Sequence, residues 1–132
     1  MKRGWSAALV LALGATLAGC ALFEQAPVFP PTRPPAEVTA SFGTDAEAIS
    51  LTWQPVEGAT FYEIERAATE AGPYERAGTS TVTSFQDGVG AENQGKWFWY
   101  RVRACNPAGC GPWSAAVRGY AGRPPKPLGL QA

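Results

Sequence analysis

The chain has 132 residues, of which 45% are hydrophobic. This is enough for one domain with a hydrophobic core but is short for two domains. Its 11 basic and 11 acidic residues balance, so no charge excess is available to hold nucleic acid or an anionic surface. Histidine is absent, which removes the commonest general base and the commonest metal ligand. The 15 glycines and 12 prolines favour short strands joined by turns over long helices.

The first twenty residues have the layout of an export signal. Lys2 and Arg3 precede a stretch of apolar and small residues that ends at Cys20. A membrane-spanning helix is the alternative, but the stretch is shorter than the roughly 20 apolar residues that a bilayer requires. Residues 17–20 (LAGC) resemble the lipobox of bacterial lipoproteins, in which the cysteine is lipidated and the preceding peptide is removed. The resemblance implies a cleaved signal peptide over residues 1–19 and a lipid anchor on Cys20.

The same resemblance implies a location on the cell envelope. In that family an Asp after the lipidated cysteine favours retention in the inner membrane, and this chain has Ala21 instead. We therefore expect the outer membrane if the host is Gram-negative. Residues 20–33 are expected to form a proline-rich tether, because five of the ten residues 26–35 are proline and such a segment is extended. An unstructured segment without a spacing role is the alternative.

Strand-like runs recur between turn signals after the tether, and no segment shows sustained helical periodicity. Apolar residues alternate with polar ones in the first three runs, so that each run presents one apolar face. Seven strands are predicted in about 90 residues, which is typical of an immunoglobulin-like β-sandwich. The runs contain Val38, Ala40 and Phe42; Ile49, Leu51 and Trp53; Tyr62 and Ile64; residues 74–77; a run that ends at Phe85; residues 96–105; and residues 113–120.

Five short segments resemble strands B, C, E and F and the F–G turn of fibronectin type III domains, in order and at the family's spacing. They are 49–53 (ISLTW), 62–64 (YEI), 83–87 (TSFQD), 100–106 (YRVRACN) and 108–109 (AG). The resemblance implies an all-β, fibronectin type III-like sandwich over residues 34–121, followed by a proline-rich tail over residues 122–132. One departure is Phe98, which stands where the family has its tyrosine corner, so the usual hydroxyl-to-backbone hydrogen bond is missing.

Two of the three cysteines predict a disulfide. Cys105 and Cys110 bracket a four-residue turn and would face each other across an F–G hairpin, within bonding range. An exported domain folds in an oxidising compartment, which favours the bond. A redox or metal-binding pair is the alternative, but the chain lacks histidine and a further cysteine in the domain to complete it. We expect neither a metal nor a cofactor.

Five residues mark a candidate binding surface on strand F, which is the run of residues 96–105, and on the last strand, G, which is the run of residues 113–120. Alternation places Trp97, Trp99, Arg101 and Arg103 on the outer face of strand F, with Trp113 alongside on strand G. Residues 113–114 (WS) resemble half of the Trp-Ser repeat of cytokine receptors, in which indole rings stack on guanidinium groups of strand F. The surface is either a structural cation–π stack, which we favour, or an exposed platform for a sugar ring or a protein partner.

The remaining features favour a non-enzymatic protein. Glu63 and Glu65 share one face of strand C and predict cross-strand ion pairs with strand F arginines rather than an acid–base pair. Hydrolase and phosphate-binding motifs are missing, so we expect no catalytic residues.

The predicted function is a membrane-anchored interaction or spacer module on the cell envelope. We expect a monomer that contacts the membrane through lipid on Cys20, a protein or polysaccharide partner of unknown identity, and no nucleic acid. One alternative is an accessory carbohydrate-binding protein that uses exposed tryptophans of the C-F-G sheet. The other is an enzyme, which would need a deep pocket with convergent polar groups.

Overall fold

The computed structural model describes residues 28–127, so the predicted signal peptide, Cys20 and residues 128–132 lie outside the described part. It contains eight strands, which in chain order are β1 (Thr39–Ala40), β2 (Ala48–Thr52), β3 (Phe61–Ala67), β4 (Glu75–Ser80), β5 (Ser84–Gly88), β6 (Phe98–Asn106), β7 (Gly109–Cys110) and β8 (Val117–Gly119). A single 3₁₀ turn at Ala91–Asn93 is the helical element of residues 28–127. No helix in this range is long and apolar enough to cross a membrane.

The strands form two antiparallel sheets that enclose one core. The first sheet has the order β1-β2-β5, and the second has the order β4-β3-β6-β7, with β8 also paired to β6. Alternation buries Ile49 and Leu51 of β2 against Ile64 of β3 and Tyr100 and Val102 of β6, all of them 0% exposed. The predicted all-β sandwich is therefore confirmed.

The first strand is shorter than predicted, and Phe42 does not face the core. Pairing of β1 with β2 ends at Ala40, so Phe42 lies beyond the strand and is 58% exposed. Its ring stacks on Tyr120 instead, with ring centres 5.4 Å apart. The prediction that Phe42 shares one apolar face with Val38 and Ala40, which pack against the core, is wrong, because alternation applies only while the strand continues.

The last predicted strand, residues 113–120, is reduced to β8. Regular pairing with β6 is interrupted after Cys110, although the N–H of Gly111 still donates to Ala104 O at 2.8 Å. Ser114 replaces the missing strand bonds: its N–H donates to Val102 O at 2.8 Å, and its Oγ accepts from Val102 N–H at 3.0 Å. Regular pairing with β6 resumes at Val117, opposite Tyr100.

The chain joins and leaves the sandwich at opposite ends. The N-terminal end is defined here by residues 28–37 and by the loops 53–60, 81–83 and 107–108. The C-terminal end is defined by the loops 41–47, 68–74 and 89–97 and by residues 120–127. Pairing of Phe61 with Cys105 and of Ala67 with Trp99 shows that β3 and β6 run from one end to the other. The nine residues of β6 separate the ends by roughly 26–30 Å at ~3.3 Å per residue.

Part of the predicted tether lies against the domain. The side-chain amide of Asn106 donates to Phe29 O at 2.7 Å and to Gly58 O at 2.9 Å. Pro31 is buried, and it packs so closely on Gly111 that a side chain at that position would collide with the Pro31 carbonyl. Residues 29–31 therefore do not extend freely from the domain, although composition alone predicts an extended tether through residue 33.

Candidate interaction surface

The two cysteines of the F–G turn are bonded. Cys105 on β6 pairs directly with Cys110 on β7, next to the pair formed by Asn106 and Gly109. A disulfide joins Cys105 and Cys110, which confirms the predicted bond and closes the β6–β7 hairpin. Lipidation of Cys20 falls outside the described residues and stays a prediction.

A carboxylate lies close to this disulfide, but it has other partners. Potential ligand atoms of Glu63, Cys105 and Cys110 lie within 4.8 Å of one another. Both sulfurs are engaged in the disulfide, and Glu63 accepts hydrogen bonds from Arg76 at 3.0 Å and from Arg103 Nε at 2.9 Å. Metal sites use thiolates, which a disulfide does not provide. The cluster is thus a disulfide beside an ion-pair network.

Ion pairs connect the outer faces of β3 and β6. The register sets Glu63 opposite Arg103 and Glu65 opposite Arg101. Arg103 contacts Glu63 at 2.7 Å, and both Nε and Nη2 of Arg101 donate to Glu65 Oε1, at 2.9 and 2.7 Å. The predicted cross-strand pairs are confirmed. Because all four side chains are partly exposed, each pair contributes at most about 1 kcal/mol.

Trp113 stacks on two of these arginines. The guanidinium carbons of Arg101 and Arg103 lie 4.5 and 4.4 Å from the Trp113 ring centre. Tyr74 adds a second ring, 4.4 Å from Arg101. Ser114, buried and bonded to β6, fixes the backbone next to Trp113. We call these four residues, Trp113, Arg101, Arg103 and Tyr74, the Trp113 stack.

The other two tryptophans belong to a separate arrangement at the C-terminal end. Arg118 lies 3.9 Å from the Trp97 ring centre and 5.8 Å from that of Trp99. We call Trp97, Trp99 and Arg118 the Trp97 stack. Trp97 also makes edge-to-face contacts with Phe42 at 5.4 Å and with Tyr120 at 5.1 Å. These rings continue the stack into an aromatic cluster in which Phe42 is exposed and Trp97 and Tyr120 are half-buried.

The five predicted surface residues therefore do not form one interleaved stack. The chain between β7 and β8 places Trp113 beside Arg101 and Arg103, and β8 then sets Arg118 opposite Trp99. The sequence prediction missed Arg118. The sequence shows only a single arginine in the last strand, next to Gly119. Its closeness to the two tryptophans follows only from the register of β8 with β6.

A cleft of about 740 Å³ opens at the Trp97 stack. It combines indole rings with charged groups and with proline-rich tail residues that follow the last strand. The residues that line it include Thr69, Glu70, Trp97, Trp99, Arg118 and Pro125. The cleft therefore brings together four parts of the chain: the β3–β4 loop, the start of β6, β8 and the tail.

A buried polar group connects the two sheets beneath this surface. Asp87 of β5 is 6% exposed and accepts hydrogen bonds from the Tyr100 hydroxyl at 2.7 Å and from Arg66 at 2.9 Å. Burial and the hydrogen bond to the Asp87 carboxylate raise the pKa of Tyr100 above its ordinary value of 10.0. The network was not predicted from the sequence, although Asp87 lies two residues after Phe85 and must share its inward face. Phe98, which the sequence predicts at the tyrosine-corner position, has its ring centre 5.1 Å from the guanidinium carbon of Arg66.

Neither a protein-family model nor a curated protein sequence matches the chain. Solved structures do resemble it. An Fn3-like protein from Clostridium thermocellum superposes with a TM-score of 0.59 at 23% identity, over 70% of this chain and 95% of that one. Domains FN1–FN3 of chicken CNTN1 give 0.62 at 21% identity, over 74% of this chain and 36% of that one. A fibronectin type III domain from human KIAA0970 protein gives 0.56 at 18% identity, over 74% and 82%.

These identities are too low to indicate a function, but each superposition covers at least 70% of this chain. The neighbours are described as Fn3-like or fibronectin type III domains, and the likeness supports the all-β sandwich that the residue motifs predict. The chain has the fibronectin type III fold.

Proposed function

We propose that the protein is a lipid-anchored, non-catalytic interaction module of the cell envelope, and that its partner binds in the cleft beside the Trp97 stack. One observation carries this proposal. Residues 28–31, which lead from the predicted anchor, lie at the N-terminal end, whereas the cleft opens at the opposite end of the sandwich. An anchor at one end leaves the other end accessible to a partner outside the membrane.

The cleft is a better binding site than the Trp113 stack. In the Trp113 stack, Arg101 and Arg103 are already paired with glutamates. Arg118 is exposed and forms no ion pair with any residue in the range 28–127. Tryptophan and arginine are the residues most enriched at binding hot spots. We expect a protein partner that offers an apolar or aromatic side chain to the indoles and a carboxylate to Arg118.

The ionisable groups of the described residues favour binding over catalysis. Glu63 and Glu65 are held in ion pairs, and the Tyr100 hydroxyl is enclosed in the core with its pKa raised. A general acid or base must be accessible to its substrate and must titrate near the working pH. The buried Tyr100 hydroxyl meets neither condition, and the carboxylates of Glu63 and Glu65 are already engaged by arginines.

Carbohydrate binding is the second candidate, because Trp97 and Trp99 line the same cleft. A sugar ring stacks on an open indole face. Arg118 lies 3.9 Å from the centre of the Trp97 ring and so covers one of its faces. This contact favours a protein partner, and a test with polysaccharides separates the two candidates.

The anchor is tested by Cys20→Ser in the full chain, expressed in a bacterial host with lipoprotein processing. We expect the unsubstituted chain to take up radiolabelled fatty acid and to lose residues 1–19, as measured by intact mass. The Cys20→Ser chain should remain an unlabelled precursor. Equal labelling and processing of both chains would contradict the anchor.

The partner site is tested with Trp99→Ala and Arg118→Ala, and with Trp113→Ala as the matched control. Each variant is immobilised and exposed to envelope proteins and, separately, to a panel of polysaccharides. We expect one retained protein that is lost with Trp99→Ala and with Arg118→Ala but is kept with Trp113→Ala. Retention of a polysaccharide that depends on Trp99 would favour the carbohydrate function. Loss only with Trp113→Ala would place the site at the Trp113 stack.

A further inference from the structure

Exposed apolar side chains are concentrated at the N-terminal end of the sandwich. Four large hydrophobic side chains are exposed among residues 28–127, and three of them lie at this end: Val28 (61%), Phe29 (69%) and Val82 (59%). The place of Val82 follows from the register, since Thr52 pairs with Ser84 and the N–H of Trp53 donates to Thr83 O. Apolar groups that share one end in this way indicate a contact surface.

The backbone around Phe29 is fixed, so its exposure does not reflect a loose segment. Asn106 donates to the Phe29 carbonyl at 2.7 Å, and the buried Pro31 follows two residues later. Pro107 and Ala108 of the β6–β7 turn are exposed beside it and line the same shallow depression as Phe29. The structure thus holds a phenylalanine ring outward next to an uncharged turn.

Charge is distributed unequally between the two ends. The segments that define the N-terminal end carry three charged residues, which are Arg33, Glu37 and Glu57. Those that define the C-terminal end carry seven, which are Asp45, Glu47, Glu70, Glu92, Lys96, Arg123 and Lys126. A surface that enters the headgroup boundary of a bilayer must hold few charges and some large apolar side chains. Only the N-terminal end meets both requirements.

We propose that the N-terminal end docks on a phospholipid bilayer, with Val28, Phe29 and Val82 in the headgroup boundary. The inference rests on the lipid anchor of the proposed function. Val28 follows Cys20 by eight residues, which reach at most about 29 Å even when fully extended. The anchor therefore keeps this end at a high effective concentration near the lipid, so that a few apolar side chains suffice to hold it there.

Docking in this manner gives the domain a fixed orientation. The C-terminal end, with the cleft at Trp97 and Trp99, then lies farthest from the bilayer and faces outward. A tether alone would let the domain rotate and would present all of its surfaces equally.

The test uses the acylated mature chain in vesicles of phosphatidylethanolamine and phosphatidylglycerol. Of the three cysteines, Cys20 is acylated and the other two are bonded to each other, so Val82→Cys provides a single free thiol for an environment-sensitive fluorophore. Glu92→Cys is the matched reference at the C-terminal end. Phospholipids brominated in their acyl chains quench only a probe that reaches the boundary.

We expect the probe at position 82 to shift to the blue and to be quenched severalfold more than the probe at position 92. Adding Phe29→Ser should reduce the quenching at position 82. Phe42→Ser, which removes an exposed ring from the opposite end, should leave it unchanged.

The outcomes separate the two proposals. Equal and weak quenching at positions 82 and 92, in a chain whose mass includes acyl groups on Cys20, overturns the docking and leaves the anchor intact. Quenching that Phe29→Ser does not reduce also overturns the docking surface. A mature chain without acyl groups that fails to bind vesicles overturns the anchor, and the docking with it.

Discussion

Tyr100→Phe removes only one hydroxyl group, but it should destabilise the domain markedly. The substitution keeps the ring but removes the hydroxyl that donates to Asp87 in the core, where Tyr100 is 0% exposed. A hydrogen bond to a charged group contributes about 1.5–3 kcal/mol. Arg66 still pairs with Asp87 in the variant, so we expect a loss near the lower end, about 2 kcal/mol. For a domain of this size that loss lowers the Tm by roughly 8–16 °C.

The measurement is urea and thermal unfolding of the unlipidated chain from residue 21 onward, with Tyr62→Phe as the matched control. Tyr62 is also buried, but its hydroxyl accepts from the uncharged N–H of Val56 at 3.0 Å. A bond between neutral groups contributes about 0.5–1.5 kcal/mol. Tyr100→Phe should therefore lose more stability than Tyr62→Phe. Equal losses would refute the argument that the charge of Asp87 strengthens the Tyr100 bond.

The raised pKa of Tyr100 also leads us to expect a loss of stability at alkaline pH. The pKa of Tyr100 in the folded state lies above the ordinary value of 10.0, so the folded chain keeps a proton that the unfolded chain releases. This contribution is complete below pH 10 and is lost as the pH rises further, by about 1.4 kcal/mol per pH unit. Tyr100→Phe should therefore have a shallower decline of unfolding free energy between pH 10 and pH 11 than the unsubstituted chain. Parallel declines would contradict the assignment.

Two further predictions concern contacts of the second sheet. Reduction of Cys105–Cys110 should cost about 2 kcal/mol in unfolding free energy, because the bond closes a short loop, and the reduced domain should remain folded by circular dichroism. In a double-mutant cycle with Arg101→Ala and Trp113→Ala, the double variant should lose less than the sum of the single variants, with a coupling of about 0.5–1 kcal/mol. Immediate unfolding on reduction, or strictly additive losses in the cycle, would contradict these contacts.

The sequence predicts the faces of the long strands well. Alternation with period two places Glu63 and Glu65 on one side of β3, and Arg101 and Arg103 on one side of β6. The fibronectin type III resemblance makes these strands neighbours, so their ion pairs follow from the sequence. The disulfide follows from the same reasoning, since a short turn between two adjacent antiparallel strands leaves little choice of register.

Positions that depend on breaks in strand pairing are not predictable in this way. Arg118 meets Trp97 and Trp99 only because the chain leaves the ladder after Cys110 and rejoins it at Val117. The contact of Phe29 with Asn106 depends on a side-chain amide that bonds the backbone of a segment 77 residues away. No periodicity encodes either event, since both follow from hydrogen bonds outside regular secondary structure.

The two arginine stacks contain similar residues, but their energetics point to different roles. A ligand that approached Arg101 or Arg103 would have to displace a glutamate that already neutralises the charge, so its gain would be offset by the ion pair it breaks. A carboxylate that approached Arg118 would add an ion pair without breaking one among residues 28–127, next to indole surface that it would remove from water. Binding of a partner is therefore favoured at the Trp97 stack. The contacts of the Trp113 stack instead stabilise the second sheet, which positions the Trp97 stack.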